Sequence, residues 1–315
     1  MPKKICLVIP VFNEQSNLLA LTASIEATMS TLKYDYQILL VDDGSTDDTP
    51  QLLQQLSERY PPVDYLRLSR NFGHQAALKA GIDFSDADAV ITLDGDGQHP
   101  PALIARLLQF WEEGNDVVYT IRKDQQGLPW LKRMSSSLFY KILGKLSDID
   151  LEPGCADFRL LDRKVVLELK KINEQDIFLR GMTRWMGFRQ HAVSYQPAAR
   201  MSGETKYSWK KMMLLALQGI TSFSTRPLYI AIYIGFIISA LSLMYVPFAI
   251  YSYWYGYTVS GWVSLIVTVS FLGGLQLIIL GIIGLYLGKM FMQSKGRPLY
   301  IVAEKKLQSA CDYDQ

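Results

Sequence analysis

Cysteine and histidine are scarce in this sequence, with three residues of each among 315. Cys6, Cys155 and Cys311 are scattered, and their spacing matches neither a disulfide framework nor a metal site. We therefore predict reduced thiols that face the cytosol. The formal net charge of +2 favours no class of charged partner, so any basic function must be local. We expect no nucleic acid among the partners.

Charge is absent from two long segments. Residues 228–251 and 262–287 contain no Asp, Glu, Lys or Arg, and each is long enough to cross a hydrocarbon core of ~30 Å. The N-terminus does not resemble a signal peptide, because its apolar run at residues 5–10 is too short and turn and charged residues follow it. Hydropathy thus divides the chain into a soluble α/β part, residues 1–226, and a membrane part, residues 227–292.

The membrane part is predicted to be a hairpin of two transmembrane helices, at about residues 228–251 and 262–290. Lysine and arginine precede the first span and follow the second. The positive-inside rule therefore places both termini in the cytoplasm and the short aromatic loop outside. Residues 293–315 would then form a cytoplasmic tail. The alternative interpretation is a buried apolar hairpin of a soluble protein.

Small residues recur along the second span. Gly274, Gly281 and Gly288 are spaced by seven residues, and Gly284 completes a Gly-xxx-Gly pair with Gly288. Such a face permits close helix contact in lipid. The contacting helix is either the first span or a second copy of the chain, so self-association through the transmembrane helices is one of two interpretations.

The soluble part alternates short apolar runs with amphipathic stretches, the pattern of βα units on a largely parallel sheet. The predicted strands are residues 4–11, 36–41, 64–68, 87–93 and 116–121. The predicted helices are residues 15–32, 47–59, 73–84 and 101–113. Ligands of such sheets bind beyond the carboxyl ends of the strands. Polar clusters follow three of these ends, at residues 13–14, 42–45 and 94–96.

Two further stretches mix bulky apolar residues with cations. One is at about residues 128–146, within a domain that spans residues 1–206, and the other is a juxtamembrane stretch at residues 207–226. Cationic and aromatic residues at headgroup level are typical of interfacial helices. The alternative is that both are ordinary helices that face the core of a soluble domain.

The strongest local signal for chemistry is a hydrophobic strand that ends in two carboxylates, Asp94 and Asp96, separated by Gly95. Oxygen ligands suit Mg²⁺ or Mn²⁺, and Mg²⁺ usually takes one or two carboxylates together with substrate phosphates. A metal held there would act as a Lewis acid on a departing diphosphate. An Asp-x-Asp sequence is also common in surface turns, but its alignment with two other polar strand ends favours a site.

Together these clusters resemble a known family. Residues 9–14, 41–45 and 94–98 are similar to the inverting glycosyltransferases of the GT-A fold. Further motifs narrow the likeness to the polyprenyl-phosphate glycosyltransferases, which include dolichol-phosphate mannose synthases and bacterial undecaprenyl-phosphate glucosyltransferases. These further motifs are residues 68–74, 156–160, 180–182 and 200–207. The C-terminal hairpin resembles the bacterial glucosyltransferase branch. The resemblance implies a Rossmann-like GT-A catalytic domain.

The resemblance also implies roles for individual residues. The nucleotide-sugar would be bound by Pro10, Phe12, Glu14, Val41, Asp43, Asp94, Gly95, Asp96, Arg122, Arg200 and Lys206. The metal, Mg²⁺ or Mn²⁺, would be bound by Asp94, Asp96 and Gln98. The acceptor phosphate would be bound by Arg133, Ser137 and Arg200. Arginine grips phosphate in a fork and lysine acts as a point charge. The alternative for each cation is a solvated surface residue.

The catalytic residues implied are Asp96 and Asp157, the latter at the position where inverting relatives place a base. A phosphate acceptor is already anionic at neutral pH, so we interpret Asp157 as a positioning or base-like group. A structural ion pair with Arg159 is the alternative. Electrostatic stabilisation of the leaving diphosphate is expected to be the larger catalytic contribution. His74 and His99 are each consistent with a site role, as a phosphate contact and a third metal ligand, or with local turn and cap structure.

The implied reaction is inverting transfer of a sugar onto undecaprenyl or another polyprenyl phosphate. Glucose from UDP-glucose is the preferred sugar and donor. It would take place at the cytoplasmic face of the inner or plasma membrane, in a multi-pass protein with its catalytic domain in the cytoplasm. GDP-mannose and other UDP-sugars are alternative donors. Less favoured alternatives are a processive polysaccharide synthase, for which two spans are too few, and a non-catalytic scaffold for translocation of lipid-linked sugar.

Overall fold

The computed structural model describes residues 2–122, 152, 154–175, 177–196, 225–256 and 261–307. The predicted interfacial helix at residues 128–146 lies outside these ranges. Residues 207–224 of the predicted juxtamembrane helix also lie outside them. Four predicted site residues also lie outside them: Arg133, Ser137, Arg200 and Lys206.

The described residues form an eight-stranded sheet in the order β7-β5-β6-β4-β1-β2-β3-β8. Its strands are β1 (Lys4–Val11), β2 (Asp35–Asp42), β3 (Val63–Leu68), β4 (Ala89–Thr92), β5 (Val117–Arg122), β6 (Cys155–Asp162), β7 (Gln190–Tyr195) and β8 (Val302–Lys306). The first five agree with the predicted strands to within a few residues, whereas β6, β7 and β8 were not predicted.

The sheet is mostly parallel. Strand β1 is parallel to β2 and to β4, β2 is parallel to β3, and β5 is parallel to β7. Antiparallel pairing occurs where β6 lies between β4 and β5 and where β8 pairs with β3. The predicted α/β class with a largely parallel sheet is therefore confirmed. Strands β2, β1 and β4 direct their carboxyl ends to one edge, where the polar clusters follow them.

Helices cover this sheet and alternate with its first strands. They are α1 (Gln15–Met29), α2 (Thr49–Arg59), α3 (His74–Phe84), α4 (Leu103–Glu112), α5 (Arg163–Lys171) and α6 (Leu179–Trp185). Helix α4 shows why such segments pack: Ile104, Leu107, Leu108 and Trp111 recur at helical spacing and are all buried. The first four helices agree with the predicted ones.

The core lies around β1, whose residues from Ile5 to Val11 are all buried. A strand covered on both faces is expected to be a continuous apolar run rather than an alternating one, as this one is. Each fully buried Leu, Ile or Val contributes about 1.5–3 kcal/mol relative to an exposed one. This rigid strand therefore fixes the position of the loop that follows it, which begins the candidate site.

The C-terminal segment returns to the sheet after the apolar helices. Strand β8 pairs with β3, and the Tyr65 hydroxyl donates to Glu304 at 2.5 Å. The Tyr300 hydroxyl donates to Asp83 on α3 at 2.8 Å. Residues 297–307 accordingly belong to the same compact unit as the sheet. The predicted cytoplasmic tail thus contains an edge strand that the sequence interpretation did not assign.

A second compact unit includes residues 225–256 and 261–296. It contains α7 (Arg226–Trp254) and α8 (Trp262–Ser294). Among the described residues, the segment Val267–Ser294 is long and apolar enough to cross a membrane, with a mean hydropathy of 2.1, and Arg226–Leu241 is a shorter apolar segment. One of the two predicted spans therefore meets the length and composition criterion, and the two-helix transmembrane hairpin is not confirmed.

Candidate active site

The loops after β1 and β2 are joined by hydrogen bonds. The backbone N–H of Asn13 donates to the Ser45 hydroxyl at 2.9 Å, and the side-chain oxygen of Asn13 accepts from the Thr46 N–H at 2.9 Å. Asn13 has a φ of 55°, in the left-handed region that asparagine tolerates better than most residues. Glu14 is held nearby, because its N–H donates to the Thr49 hydroxyl at 3.2 Å. Two of the predicted polar clusters therefore form one surface.

Asp43 connects that surface to the start of α3. Its two carboxylate oxygens accept the backbone N–H groups of Phe72 at 2.7 Å and Gly73 at 2.9 Å. Burial raises the pKa of Asp43, and the two backbone hydrogen bonds oppose this rise. Gly44 beside it has a φ of 70°, and a Cβ there would lie 2.5 Å from the Arg70 carbonyl carbon. Glycine is therefore required for the close approach of these two loops.

Asp94, at the end of β4, is the centre of the acidic cluster. One of its carboxylate oxygens lies 2.8 Å from His74 Nε2 and the other lies 2.9 Å from His99 Nε2. Burial alone would raise the pKa of Asp94, but the two histidine hydrogen bonds outweigh burial and hold that pKa well below its usual range. Burial tends to lower the pKa of His74, and its bond to Asp94 raises it overall. Asp94 is therefore an ionised, firmly held carboxylate.

The second ring nitrogen of His99 contacts Tyr195, the last residue of β7. The Tyr195 hydroxyl lies 3.0 Å from His99 Nδ1, and both side chains pack near Phe158. Burial raises the pKa of Tyr195 to about 12, so the hydroxyl stays protonated and able to donate. The imidazole thus contacts Tyr195 through Nδ1 and Asp94 through Nε2, so both ring nitrogens have a partner.

Asp96 and Gln98 form a tight turn after Asp94. The Gln98 N–H donates to Asp96 Oδ1 at 3.0 Å, and the side-chain oxygen of Gln98 accepts from Arg122 at 3.1 Å. Gly95 lies against the end of β1, where a Cβ would meet Val11 Cγ1 at 2.9 Å and the Pro10 carbonyl oxygen at 3.1 Å. Glycine at this position therefore lets the acidic turn lie directly beside the β1 loop.

The residues of this turn fit a divalent cation that shares its shell with a phosphate ligand. No group of three or more His, Cys, Asp or Glu within metal-binding reach occurs in the described part of the chain. Mg²⁺ and Mn²⁺ sites that bind nucleotides need one or two carboxylates, with phosphate and water oxygens completing the shell. Asp96 is half-buried and offers such a carboxylate. Both oxygens of Asp94 are engaged by histidines, so Asp94 would ligate a metal through a remaining lone pair or by exchanging one partner.

Asp157, at the start of β6, forms a two-point ion pair with Arg180 on α6. Arg180 Nε donates to one carboxylate oxygen at 2.7 Å and Nη2 donates to the other at 2.5 Å. Burial would raise the pKa of Asp157, but Arg180 outweighs burial and lowers it. The partner considered from the sequence, Arg159, instead donates to the Thr183 hydroxyl at 2.7 Å and to the Ala156 carbonyl at 2.9 Å.

The structure brings most of the described predicted residues to one edge of the sheet. Phe12 is exposed beyond β1, whereas Val41 is fully buried, so only its backbone can contact a ligand. The sequence interpretation gave no role to Arg180, Gln75 or Tyr195, although Arg180 lies in a motif that carried the family resemblance. Gln75 links these groups, since it donates to Asp157 at 3.4 Å and accepts from the Leu179 N–H at 3.0 Å.

Residues 6–169 of the chain match the family Glycosyl transferase family 2. Full-length relatives agree. The chain is 43% identical over 305 residues to an uncharacterized glycosyltransferase of Synechocystis sp., with 96% of each chain covered.

The chain belongs to glycosyl transferase family 2.

Two other relatives of this family 2 transferase bear more specific names. It is 38% identical over 304 residues to the bactoprenol glucosyl transferase of Shigella phage SfV, with 96% of this chain and 99% of the relative covered. The prophage bactoprenol glucosyl transferase homolog of Escherichia coli K12 shows the same identity and coverage.

Among solved structures, the family 2 transferase is similar to a mannosyltransferase of Pyrobaculum calidifontis, crystallised with GDP-Man and Mn²⁺. The TM-score is 0.51 at 14% identity, and the match covers 70% of this chain and 63% of that one. This likeness concerns the fold alone. With the family match it confirms the predicted GT-A architecture.

Proposed function

We propose that this family 2 enzyme transfers glucose from UDP-glucose onto undecaprenyl or a related polyprenyl phosphate, with inversion at the anomeric carbon. The observation that carries the proposal is the end-to-end similarity to bactoprenol glucosyl transferases, 38% over 304 residues. That similarity extends beyond the family 2 segment at residues 6–169 and includes the apolar C-terminal helices. Apolar helices of this kind are consistent with an acceptor that is itself anchored in a membrane.

The nucleoside of the donor would lie over the ends of β1 and β2. Asp43 is aimed there by its bonds to the Phe72 and Gly73 N–H groups. Its oxygens keep lone pairs for a ribose hydroxyl or a base N–H. Pro10, Phe12, Glu14 and the Val41 backbone line the same edge. The diphosphate would then extend toward Asp94 and Asp96, the next strand end in the sheet order.

A Mg²⁺ or Mn²⁺ ion would be held by Asp96, with Asp94 and the Gln98 amide contributing, and would supply Lewis-acid stabilisation of the leaving diphosphate. Gln98 is 8% exposed and its side-chain oxygen already accepts from Arg122. Arg122 is exposed, and its guanidinium lies beside that turn. The guanidinium would therefore also attract the diphosphate, to which arginine can donate two parallel hydrogen bonds.

The acceptor reacts without a proton transfer. A phosphate monoester is anionic at neutral pH, so one of its oxygens forms the bond to the anomeric carbon while the bond to the diphosphate oxygen breaks. The electron pair of that bond leaves on the diphosphate, and the product is a phosphodiester. Arg133, Ser137, Arg200 and Lys206 are proposed, from the family resemblance, to bind the phosphates of acceptor and donor.

The membrane location and the two-span topology are part of this proposal. Many large apolar side chains of α7 and α8 are exposed, such as Phe236 at 76% and Leu277 at 71%. Soluble proteins rarely expose contiguous apolar surface of that kind. Lys289, Lys295 and Arg297 follow the second helix. The positive-inside rule then places both termini and the catalytic domain in the cytoplasm, in a multi-pass protein of the inner membrane.

Self-association through the transmembrane helices is also proposed. Cβ atoms built at Gly274, Gly281, Gly284 and Gly288 would meet no heavy atom of the described residues within 4 Å. This glycine face is therefore available for close contact with a helix of a second copy. Crosslinking of the purified enzyme in lipid nanodiscs would yield dimers or larger species that Gly284→Leu diminishes, and an unchanged pattern would contradict the proposal.

A donor panel tests the proposed reaction. The detergent-solubilised enzyme would be incubated with Mg²⁺, undecaprenyl phosphate and, separately, UDP-glucose, UDP-galactose, UDP-N-acetylglucosamine or GDP-mannose. Transfer of radiolabelled sugar into the organic phase is expected with UDP-glucose and is expected to stop when EDTA is added. Transfer from another donor alone would correct the sugar assignment, and no transfer from any donor would contradict the proposed function.

A further inference from the structure

We propose that Arg180 binds the anionic phosphate of the acceptor and that Asp157 is the positioning residue that aims its guanidinium, rather than a proton acceptor. The inference rests on the proposed function, because it names the residue that receives that reaction's second substrate. It is carried by the geometry of the Asp157–Arg180 pair and by its place in the strand order.

The ion pair leaves a complete fork of donors free of Asp157. Asp157 takes the Nε–H and one Nη2–H, at 2.7 and 2.5 Å. A guanidinium has five N–H groups, so two on Nη1 and one on Nη2 remain. One N–H of Nη1 and one of Nη2 point outward side by side, which is the fork that binds a phosphate through two parallel hydrogen bonds.

Exposure shows which member of the pair faces a ligand. The Asp157 side chain is 5% exposed and that of Arg180 is 35% exposed. The ion pair lies beside the acidic cluster, because the Gln75 amide nitrogen lies 3.4 Å from both Asp157 and His74 Nδ1, and His74 Nε2 contacts Asp94 at 2.8 Å. Asp157 is thus the buried support, and Arg180 is the member of the pair that a ligand can reach.

The strand order indicates which phosphate would reach Arg180. Strands β2, β1, β4 and β6 are consecutive neighbours in the sheet, and adjacent strands lie ~4.8 Å apart. The nucleoside is assigned to the ends of β2 and β1 and the diphosphate to the end of β4. Asp157 is the third residue of β6, one strand further on. The donor's sugar and the attacking oxygen therefore belong at Arg180, on the side away from the nucleoside.

The surroundings of Asp157 favour a fixed support. Gln75 donates to Asp157 at 3.4 Å and accepts from the Leu179 N–H at 3.0 Å, which ties the carboxylate to the first turn of α6. The Thr92 hydroxyl donates to the Asp157 carbonyl at 2.5 Å. A carboxylate with both oxygens engaged by one guanidinium is a poor proton acceptor, and the acceptor phosphate has no proton that must be removed.

Steady-state kinetics with both substrates varied separates the roles. For Arg180→Gln we expect the KM for polyprenyl phosphate to rise about 10- to 100-fold, as for loss of a charge-assisted hydrogen bond, with the KM for the sugar donor nearly unchanged. Arg180→Lys should recover part of this loss, because it keeps the charge but not the fork. Arg163→Gln is the matched control, since Arg163 forms an exposed ion pair with Asp86.

Asp157→Asn discriminates positioning from base catalysis. Positioning predicts a raised acceptor KM and a pH–rate profile with unchanged limbs. A general base predicts a fall in kcat of about 10²- to 10⁴-fold and loss of the acidic limb, which would overturn the proposal. A rise in the donor KM alone in Arg180→Gln would also overturn it.

A binding measurement without the sugar donor tests the role of Arg180 separately from the transfer reaction. Binding of short-chain polyprenyl phosphate to the solubilised enzyme, without donor, is expected to weaken in Arg180→Gln and to be unchanged in Arg163→Gln. If the wild-type enzyme bound the lipid phosphate through Arg180 but transferred no sugar, the proposed reaction would fail and the Arg180 assignment would stand. Equal binding by wild type and Arg180→Gln would overturn the assignment.

Discussion

His99 Nε2 lies 2.9 Å from a carboxylate oxygen of Asp94, and this contact fixes the acidic turn from the side of the protein core. His99 is 5% exposed, whereas Asp94 is half-buried. The Tyr195 hydroxyl supports the far side of the same imidazole at 3.0 Å. A chain of hydrogen bonds therefore runs from the end of β7 to the carboxylate at the end of β4.

Tyr195→Phe should weaken catalysis without unfolding the enzyme. The variant removes one neutral hydrogen bond, worth about 1 kcal/mol, so a fall in kcat/KM of about 3- to 10-fold is expected. The metal concentration for half-maximal rate should rise as Asp94 becomes less well held. Tyr60→Phe is the control, because Tyr60 precedes β3, which lies six strands away from β7 in the sheet order. If Tyr195→Phe had the kinetics of the wild type, the proposed role of this hydrogen-bond chain would be contradicted.

Asp96→Asn should abolish transfer by weakening metal binding. The change removes the charge of the half-buried carboxylate but preserves its size, so the fold should be retained. Mn²⁺ binding followed by isothermal titration in the presence of UDP would weaken together with activity. Asp86→Asn, which alters an exposed carboxylate paired with Arg163, should leave both quantities unchanged. Wild-type activity in Asp96→Asn would refute the metal assignment.

Truncation after Gly296 should destabilise the catalytic unit. It removes β8, the bond from Tyr300 to Asp83, and the bond from Gln175 to the Arg297 carbonyl. It also exposes β3 as an unpaired edge. We expect the midpoint of thermal unfolding to fall by about 5 °C or more. Truncation after Leu307 leaves β8 intact and should change little, and equal midpoints for the two truncations would contradict the role of β8.

The docking of β8 should weaken at low pH. Hydrogen bonds from Tyr65 and Gln54 lower the pKa of Glu304 below its ordinary 4.5. A lowered carboxyl pKa contributes stability above the unfolded-state pKa and loses it as pH falls through the folded-state value. The difference in unfolding midpoint between wild type and Glu304→Gln should therefore be constant near neutral pH and shrink below about pH 4.5. A difference that is independent of pH would contradict this assignment.

The fold was predictable where local pattern determines it. Strand β1 is a continuous apolar run, and its predicted and observed ranges coincide. Strands β6 and β7 were not predicted, because polar residues interrupt their apolar pattern, such as Asp157 and Arg159 in β6 and His191 in β7. Strand β8 follows the apolar helices, where no local signal links it to β3. Its alternating pattern of half-buried and exposed residues is that of an edge strand, which a short polar segment does not reveal.

The site was predictable only as a set of strand ends. Asp94, Asp96 and Asp43 follow hydrophobic strands, so their common edge could be deduced from the sequence. The partners of these carboxylates could not, since hydrogen bonds depend on side-chain directions. Asp157 illustrates the limit: Arg159 is two residues away, yet the ion pair forms with Arg180 from another element. Asp157 and Arg159 lie two residues apart and so share a face of the strand. Their charged groups nevertheless bind different partners, Arg180 and Thr183.

The most direct test of the account is the mass of the lipid product. Enzyme, Mg²⁺, UDP-glucose and undecaprenyl phosphate would be incubated, and the lipid extract analysed by mass spectrometry while released UDP is measured in the aqueous phase. The account predicts a lipid heavier than the acceptor by one hexose, formed in equal amount to UDP and absent from the Asp96→Asn reaction. Release of UDP without a hexosylated lipid phosphate would contradict it.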